Sequence, residues 1–411
     1  MAEPLGGAKT KNNYRAHPPS RKHFPDLFIL QDRTGAIVRE DQSYLAASGI
    51  PGLHQEVANV GPRSEESISA KPWDGTKSPS KILIIRMHAI GDVAITFSAS
   101  NALRQKHSDA RIDFLTNENI SPLATCLNIF DTIHNFQVCA SVGKRLLHIV
   151  KWAPRLRREH YDVVLDLQRN WASRLLRLSA RPKAWSEFDR FSPRLAGLRT
   201  LDTFRRAGFP DINLSFQMPV RGELLEAAAQ TLRINGWTGT TPIIVLNPAG
   251  LWNTRNWPLA HYAEFARMWL RDEESVFLLI GTDRMMEQAR YFSSALGPSV
   301  INLVGKTSLG EAFAILQHAS FVLSEDSGLM HMAWVSGVPT LALFGSSRHD
   351  WSAPVGPHTQ CLHSGDLSCG ACMSPICKYG DVHCLTRHTP DTVYRIARSM
   401  PRQNDVRAAR S

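Results

Sequence analysis

The rhythm of hydrophobic and polar positions changes at residue 81. From there, short apolar runs of strand length alternate with longer stretches of helical period. KILIIRM at 81–87 reads as a strand buried on both faces, followed by a turn at His88–Gly91 and a helix over Asp92–His107. Ile112–Thr116 and Thr132–Phe136 read as strands and Ser141–Glu159 as a strongly basic helix. YDVVLDLQ at 161–168 is a further strand that leads into a helix over Trp171–Ser179. The order then restarts, with strands at Pro242–Asn247, Val276–Gly281, Val300–Val304, Phe321–Ser324 and Thr340–Phe344 and helices between them.

Near-continuous apolar strands alternating with helices specify parallel sheets covered on both faces. The expected fold class is α/β, with two Rossmann-like domains facing across a cleft. The expected boundaries are an N-terminal extension over 1–80, a first domain over 81–240 and a second over 241–400. The second carries a Cys-rich loop at 361–384, and 401–411 form a tail. In the extension, Phe28–Val38 has the pattern of a small hairpin turning at Asp32–Gly35, and Lys77–Ser80 reads as a linker. The rest of 1–80 is expected to be partly disordered or draped over the body. Every motif begins after Lys81, so the extension is expected to be dispensable for chemistry.

Charge sharpens this division. The chain of 411 residues carries 47 basic and 37 acidic side chains, a net charge of +10. Residues 81–240 hold 23 basic and 14 acidic residues, while 241–411 hold 14 of each. A positive field confined to one domain points to an anionic partner there: nucleic acid, acidic lipid headgroups or a phosphorylated acceptor. A solubilising surface has the same composition. No apolar run reaches the roughly 18 residues of a membrane span, and the first thirty residues lack the apolar core of a signal peptide. A cytoplasmic protein is expected.

Three motifs fall at strand ends, where open α/β sheets bind ligands. In Ile90-Gly91-Asp92 the glycine permits a tight turn and Asp92 is placed to accept a proton, although Asp is equally a favoured helix cap. Asn247–Pro258 brings Thr254 and Arg255 out of a strand as a diphosphate clamp, or as an ordinary polar loop. Ser324–His331 places a helix N-terminus near Ser327, where free amides suit phosphate, with Asp326 and His331 beside it. The alternative there is a capped helix with a packed histidine. Five of the seven cysteines lie in 361–384. Cys369, Cys372, Cys377 and Cys384 have a spacing that suits a tetrahedral zinc or iron site, or a reduced, metal-free loop.

Taken together, residues 81–400 resemble glycosyltransferase family 9, the ADP-heptose:lipopolysaccharide heptosyltransferases. The resemblance rests on KILIIRMHAIGDVAITFSASNALRQ at 81–105, YDVVLDLQRNWASRLLRL at 161–178 and NPAGLWNTRNWP at 247–258. SEDSGLMHMAWVSGVPTLALFG at 324–345 and Trp351–Gly356 complete it, in the family's order. It implies the GT-B architecture and transfer with inversion of a heptose, or a similar sugar, from an ADP-sugar to a lipopolysaccharide core acceptor. By position, Asp92 would be the base and Gly91 part of its turn, with Arg255 a catalytic cation and Thr254 a hydroxyl donor to the phosphates. Asp326, Ser327, Gly328 and His331 would bind the nucleotide, and Asp283 or Glu287 the ribose.

The resemblance implies no cofactor for catalysis, with zinc or iron at the Cys cluster a structural matter. It implies lipid A-linked core as the acceptor, and peripheral contact with the cytoplasmic face of the inner membrane. Nucleic acid is not an expected partner, because the basic block lacks the interleaved aromatics of single-strand binders. The chain departs from the family at Val93–Ser98, where Ile95 stands in place of a frequent His, and at Arg255, where Lys is common. Two other readings share the pattern: a sugar-nucleotide 2-epimerase and a non-catalytic binding protein.

Overall fold

The computed structural model describes residues 30–31, 37–38, 68–75, 77–139 and 141–401. The chain divides into two compact units, Met1–Glu40 and Asp41–Ser411. In the first, β1 (Leu30–Gln31) pairs antiparallel with β2 (Ile37–Val38), as the hairpin reading expects. The turn residues Asp32–Gly35, and the remaining extension up to residue 67, lie outside the described residues.

The second unit holds two six-stranded sheets. Its first sheet runs β3 (Ala70–Lys71), β8 (Ala184–Glu187), β7 (Val163–Asp166), β4 (Lys81–Ile85), β5 (Arg111–Asn117) and β6 (Thr132–Phe136). All pairings are parallel except β3 on β8. The other sheet runs β11 (Val300–Asn302), β10 (Val276–Leu279), β9 (Ile243–Asn247), β12 (Phe321–Glu325), β13 (Thr340–Phe344) and β14 (Thr359–His363), parallel throughout. Starting from β4 and from β9, each sheet adds strands first to one side and then to the other, which is the doubly wound order. The switch points lie between β4 and β7, and between β9 and β12.

The stretch 68–75 of the extension joins the first sheet. It supplies β3, and the Trp73 amide donates to the Ala207 carbonyl at 2.8 Å. Gly208 passes so close that a Cβ there would sit 2.7 Å from the Trp73 nitrogen.

The helix Ile90–Lys106 joins the two halves. Gly91, Val93–Asn101 and Leu103 are all buried, so the helix has no solvent face between Val93 and Asn101. One side packs on its own sheet and another on the helix Gly328–Val335 of the second domain. Phe97 sits at the centre, its ring 6.1 Å from Phe114 and 6.2 Å from Phe313 of the other domain. A continuous apolar layer therefore spans both domains, from Ile82 and Ile84 to Ile243, Val245 and Trp334. No helix among the described residues is long and apolar enough to cross a membrane.

Candidate active site

The loops that leave β4, β7, β9 and β12 carry the site. Beyond β7, Asp166 accepts hydrogen bonds from the Gln168 and Arg169 amides and from the Ser173 hydroxyl, which shapes that turn. Gln168 then reaches across to β4: its Oε1 accepts from the amides of Met87 at 2.9 Å and His88 at 3.3 Å. The Gly91–Asp92 turn is thus held from the neighbouring strand.

Asp92 is the third residue of its helix. Its Oδ2 accepts from the Ala89 amide at 3.2 Å and pairs with Arg86 Nη2 at 2.5 Å. The capping role is therefore real. It does not exhaust the side chain, which is 42% exposed and open to a ligand. Desolvation raises the carboxyl pKa, but the Arg86 charge, the Ala89 amide and the Arg86 hydrogen bond outweigh it and hold the group below the usual carboxylate range. Asp92 is ionised throughout the neutral range.

In the second domain, Ser327 caps the helix Gly328–Val335 by accepting from the Met330 amide at 3.3 Å. Asn247, at the end of β9, donates through Nδ2 to the hydroxyls of Ser324 and Ser327, both at 2.7 Å. His331 lies one turn in. The Trp334 indole N–H donates to its Nδ1 at 3.0 Å, and an indole is only a donor, so that nitrogen carries no proton. Burial holds the imidazole pKa down, against the pull of Asp326 and Asp92. The neutral ring then bears its proton on Nε2, as a hydrogen-bond donor.

Arg255, on the one-turn 3-10 helix Asn253–Arg255, pairs with Asp326 at 2.7 Å and lies 4.8 Å from the Trp252 ring. Its Nε is buried without a hydrogen-bond partner among the described residues. The loop owes its shape to Glu325, which sequence reasoning left without a role. This carboxylate accepts from the Gly250 and Trp257 amides, both at 2.6 Å. Burial pushes its pKa up to about 8, against the two amides that favour the ionised form. The native state therefore holds a proton that the unfolded chain has lost between about pH 4.5 and 8, and stability falls as pH rises through that window. Glu325→Gln is expected to remove this slope in thermal melts across pH 5–8. Parallel curves for the two proteins would overturn the assignment.

The halves of the site meet at two glycines. A Cβ on Gly91 would sit 2.5 Å from His331 Cδ2, and one on Gly328 would sit 3.1 Å from Ile90 Cγ2. Only glycine lets the first turns of the helices Ile90–Lys106 and Gly328–Val335 approach this closely. Two positive helix ends are thereby brought to one locus beside Asp92, His331 and the Arg255–Asp326 pair.

Other expected residues are placed differently. Thr254 is buried, sharing a 2.9 Å contact with the Ser346 hydroxyl and donating to the Ser374 carbonyl at 2.5 Å. Its hydroxyl is spent tying down the loop rather than facing a phosphate. Asp283 and Glu287 are both exposed beyond β10; the Asp283 carboxylate lies against Gly305. Ile95 is buried in the core.

The cysteine loop differs from the metal-site expectation. Among the described residues no three His, Cys, Asp or Glu side chains are arranged to hold a metal ion. Cys372 is exposed and Cys377 Sγ lies 3.9 Å from the Asp381 carboxylate, while Cys384 is half-buried with its pKa pushed up to about 11 by burial and the neighbouring thiols. As arranged, Cys369, Cys372, Cys377 and Cys384 do not fit a tetrahedral cage.

Arg86 and Arg199 were not singled out from the sequence. Both are buried, both have an unpartnered Nε among the described residues, and both guanidinium groups stand about 5 Å from the Phe188 ring. Desolvation brings the Arg199 pKa down to about 10. Arg199 also donates to the Trp351 carbonyl at 3.3 Å, bridging the domains.

Two doubly wound domains thus meet with the Asp92 carboxylate on one and the Ser327-capped helix N-terminus on the other. Residues 149–383 match the model for "Glycosyltransferase family 9 (heptosyltransferase)", and the chain belongs to that family. It is 31% identical over 122 residues to lipooligosaccharide heptosyltransferase 2 of Haemophilus influenzae, covering 28% of this chain and 35% of that relative. The match thus spans about a third of that relative's length. Lipopolysaccharide heptosyltransferase 1 of Pseudomonas aeruginosa is 22% identical over 318 residues, covering 73% of this chain and 88% of its own. Among solved structures, a family 9 glycosyltransferase from Veillonella parvula shares the fold with a TM-score of 0.67 at 20% identity, covering 78% of this chain and 96% of that one. The ADP-heptose lipopolysaccharide heptosyltransferase II of E. coli does so with a TM-score of 0.60 at 20% identity, over 80% and 100% of the two chains.

Proposed function

We propose that the protein transfers a heptose from ADP-heptose to a lipopolysaccharide core acceptor with inversion at the anomeric carbon. The observation that carries this reading is the contact of the Gly91–Asp92 turn with His331 and the Ser327-capped helix, in a chain of this family. The acceptor hydroxyl loses its proton to Asp92 as its oxygen bonds to the anomeric carbon. The bond from that carbon to the β-phosphate oxygen breaks on the opposite face, and ADP departs with the electron pair. The charge that develops on the diphosphate is met by Arg255, by the amides at the start of Gly328–Val335 and by the Nε2–H of His331. Asp326 holds the Arg255 guanidinium, and Glu325 holds the loop that presents it.

In this reading the acceptor is carried on a lipid, and the basic first domain faces it. Arg86 and Arg199 near Asp92 suit the acceptor's anionic groups. The test is direct. Protein incubated with ADP-heptose and a delipidated core acceptor is expected to release ADP and to add one heptose to the acceptor by mass spectrometry. Conversion of the sugar nucleotide without acceptor would favour an epimerase instead. Neither reaction, in folded protein that binds ADP, would leave a binding protein.

A further inference from the structure

We infer that Phe191 is a stacking platform for the apolar face of a sugar ring in the acceptor, presented by the loop 188–195. This deepens the functional reading above and rests on it for one point, that the acceptor is a saccharide. The loop leaves the carboxyl end of β8 and runs into the helix Ala196–Arg206. β8 pairs with β7, so the loop stands beside the turn that carries Gln168 and Arg169.

Exposure sets Phe191 apart from its neighbour. Phe188 is buried, with Arg86 5.2 Å and Arg199 5.1 Å from its ring centroid. Phe191 is 54% exposed. A lone exposed apolar side chain is ordinary on a protein surface. This one differs in being held in place, and in the backbone strain spent on holding it.

The loop is fixed from within. Asp189 Oδ1 accepts from the amides of Phe191 at 3.2 Å and Ser192 at 3.1 Å. Desolvation raises the Asp189 pKa, but those amides outweigh it, so the carboxylate stays ionised and the turn intact through the neutral range. The Asp189 carbonyl accepts from Arg199 Nη1 at 2.9 Å. The guanidinium groups of Arg169 and Arg190 each stand 5.9 Å from the Phe191 centroid, within cation–π reach. Arg190 Nη1 also donates to the Arg169 carbonyl at 3.4 Å.

Arg169 has a φ of +44°, in the left-handed region that a non-glycine residue enters at a cost. His160 and Arg181 lie there too, but each closes a helix, whereas Arg169 stands between β7 and the helix Trp171–Ala180. Asp166 holds it there, accepting from its amide at 2.8 Å. In this conformation the guanidinium reaches Glu187 and the Phe188 carbonyl, both at 3.5 Å, as well as the Phe191 ring.

Position and chemistry name the occupant. The carboxylates of Asp92 and Asp189 both act on the Arg199 guanidinium, and Arg86 links Asp92 to the Phe188 ring. The loop therefore borders the place where the acceptor hydroxyl reacts. The C–H bonds on one face of a sugar ring are polarised positive, and the face of an aromatic ring is negative. The loop gives Phe191 charged neighbours, Asp189, Arg190 and Arg194, rather than the apolar patch that a protein partner buries. A contact away from the reacting atoms is made equally before and during reaction, so its loss raises KM and spares kcat.

Phe191→Ala is expected to raise KM for a delipidated core acceptor by roughly threefold to tenfold, the worth of one stacked ring. Its kcat, its KM for ADP-heptose and its melting temperature are expected to match the wild type. Phe191→Tyr is expected to restore the acceptor KM, and Phe191→Leu, apolar but without a π face, is not. A wild-type acceptor KM in the alanine or the leucine variant would overturn the assignment, as would a loss confined to kcat or to the donor. Calorimetric titration of the same acceptor into ADP-bound protein separates this inference from the functional reading. Acceptor binding without sugar transfer would count against that reading; the platform then stands if Phe191→Ala weakens the binding by the same factor, and falls if it does not. Neither binding nor transfer in the folded wild type would overturn both.

Discussion

Asp92→Asn is expected to lower kcat by roughly 10²–10⁴ while leaving the melting temperature close to that of the wild type. Asparagine caps a helix about as well as aspartate, and its amide oxygen can still accept from Ala89. What it loses is the ability to take a proton. It also gives up the charge opposite Arg86, so the variant is checked by thermal melt before its kinetics are read. In the proposed reading the nucleotide is held by the other domain, so ADP affinity should barely change. A normally folded variant with near wild-type turnover would overturn Asp92 as the base. The ion pair adds a second signature. The Asp92 pKa is held down, so the acid limb of the kcat/KM profile is expected below the ordinary aspartate value. Removing the cation by Arg86→Met should move that limb upward.

Arg255→Ala is expected to lower kcat by about 10²–10³, the usual worth of one donor aimed at developing negative charge. Its planar fork already has one arm on Asp326, and its buried Nε lacks a partner among the described residues, so the guanidinium is held with donor capacity to spare. Alanine would also strand the Asp326 carboxylate, which is only 11% exposed, and a drop in stability could masquerade as a catalytic loss. Arg255→Lys separates the two. Lysine keeps Asp326 paired and should melt like the wild type, but it lacks the fork and should recover only part of the rate. Full activity in folded Arg255→Ala would remove the residue from the mechanism.

Much of the fold was legible because parallel strands covered on both faces must be apolar throughout. Thr340–Phe344, buried at every position, is legible to the residue for that reason. The strands that were missed, β3, β8 and β14, flank or form sheet edges and carry other residues. Ala-Trp-Ser-Glu in β8 buries Ser186 and Glu187, which no apolar pattern reveals. Glu187 is tolerated there because Arg174 and Arg177, both on the next helix back, pair with it. The site divides in the same way. Residues adjacent in sequence, such as Gly91-Asp92 and Asp326–His331, were visible as motifs. Glu325 lies inside a quoted motif, yet its partners are 68 and 75 residues away, at Trp257 and Gly250. Thr254 reads as free in the sequence because Ser374, whose carbonyl accepts its hydrogen bond, follows 120 residues later.

The brief antiparallel pairing of Ala70–Lys71 on β8 has a consequence for solubility. A parallel sheet that ends on β8 offers the unmatched amides and carbonyls of that strand to any extended chain it meets, which is the usual start of self-association. β3 occupies those groups, and Trp73 fastens the same segment to the end of the helix Ala196–Arg206. A chain shortened to Lys81 would retain every residue of the proposed chemistry and still uncover this edge. Aggregation, rather than a catalytic defect, is what that shortening invites.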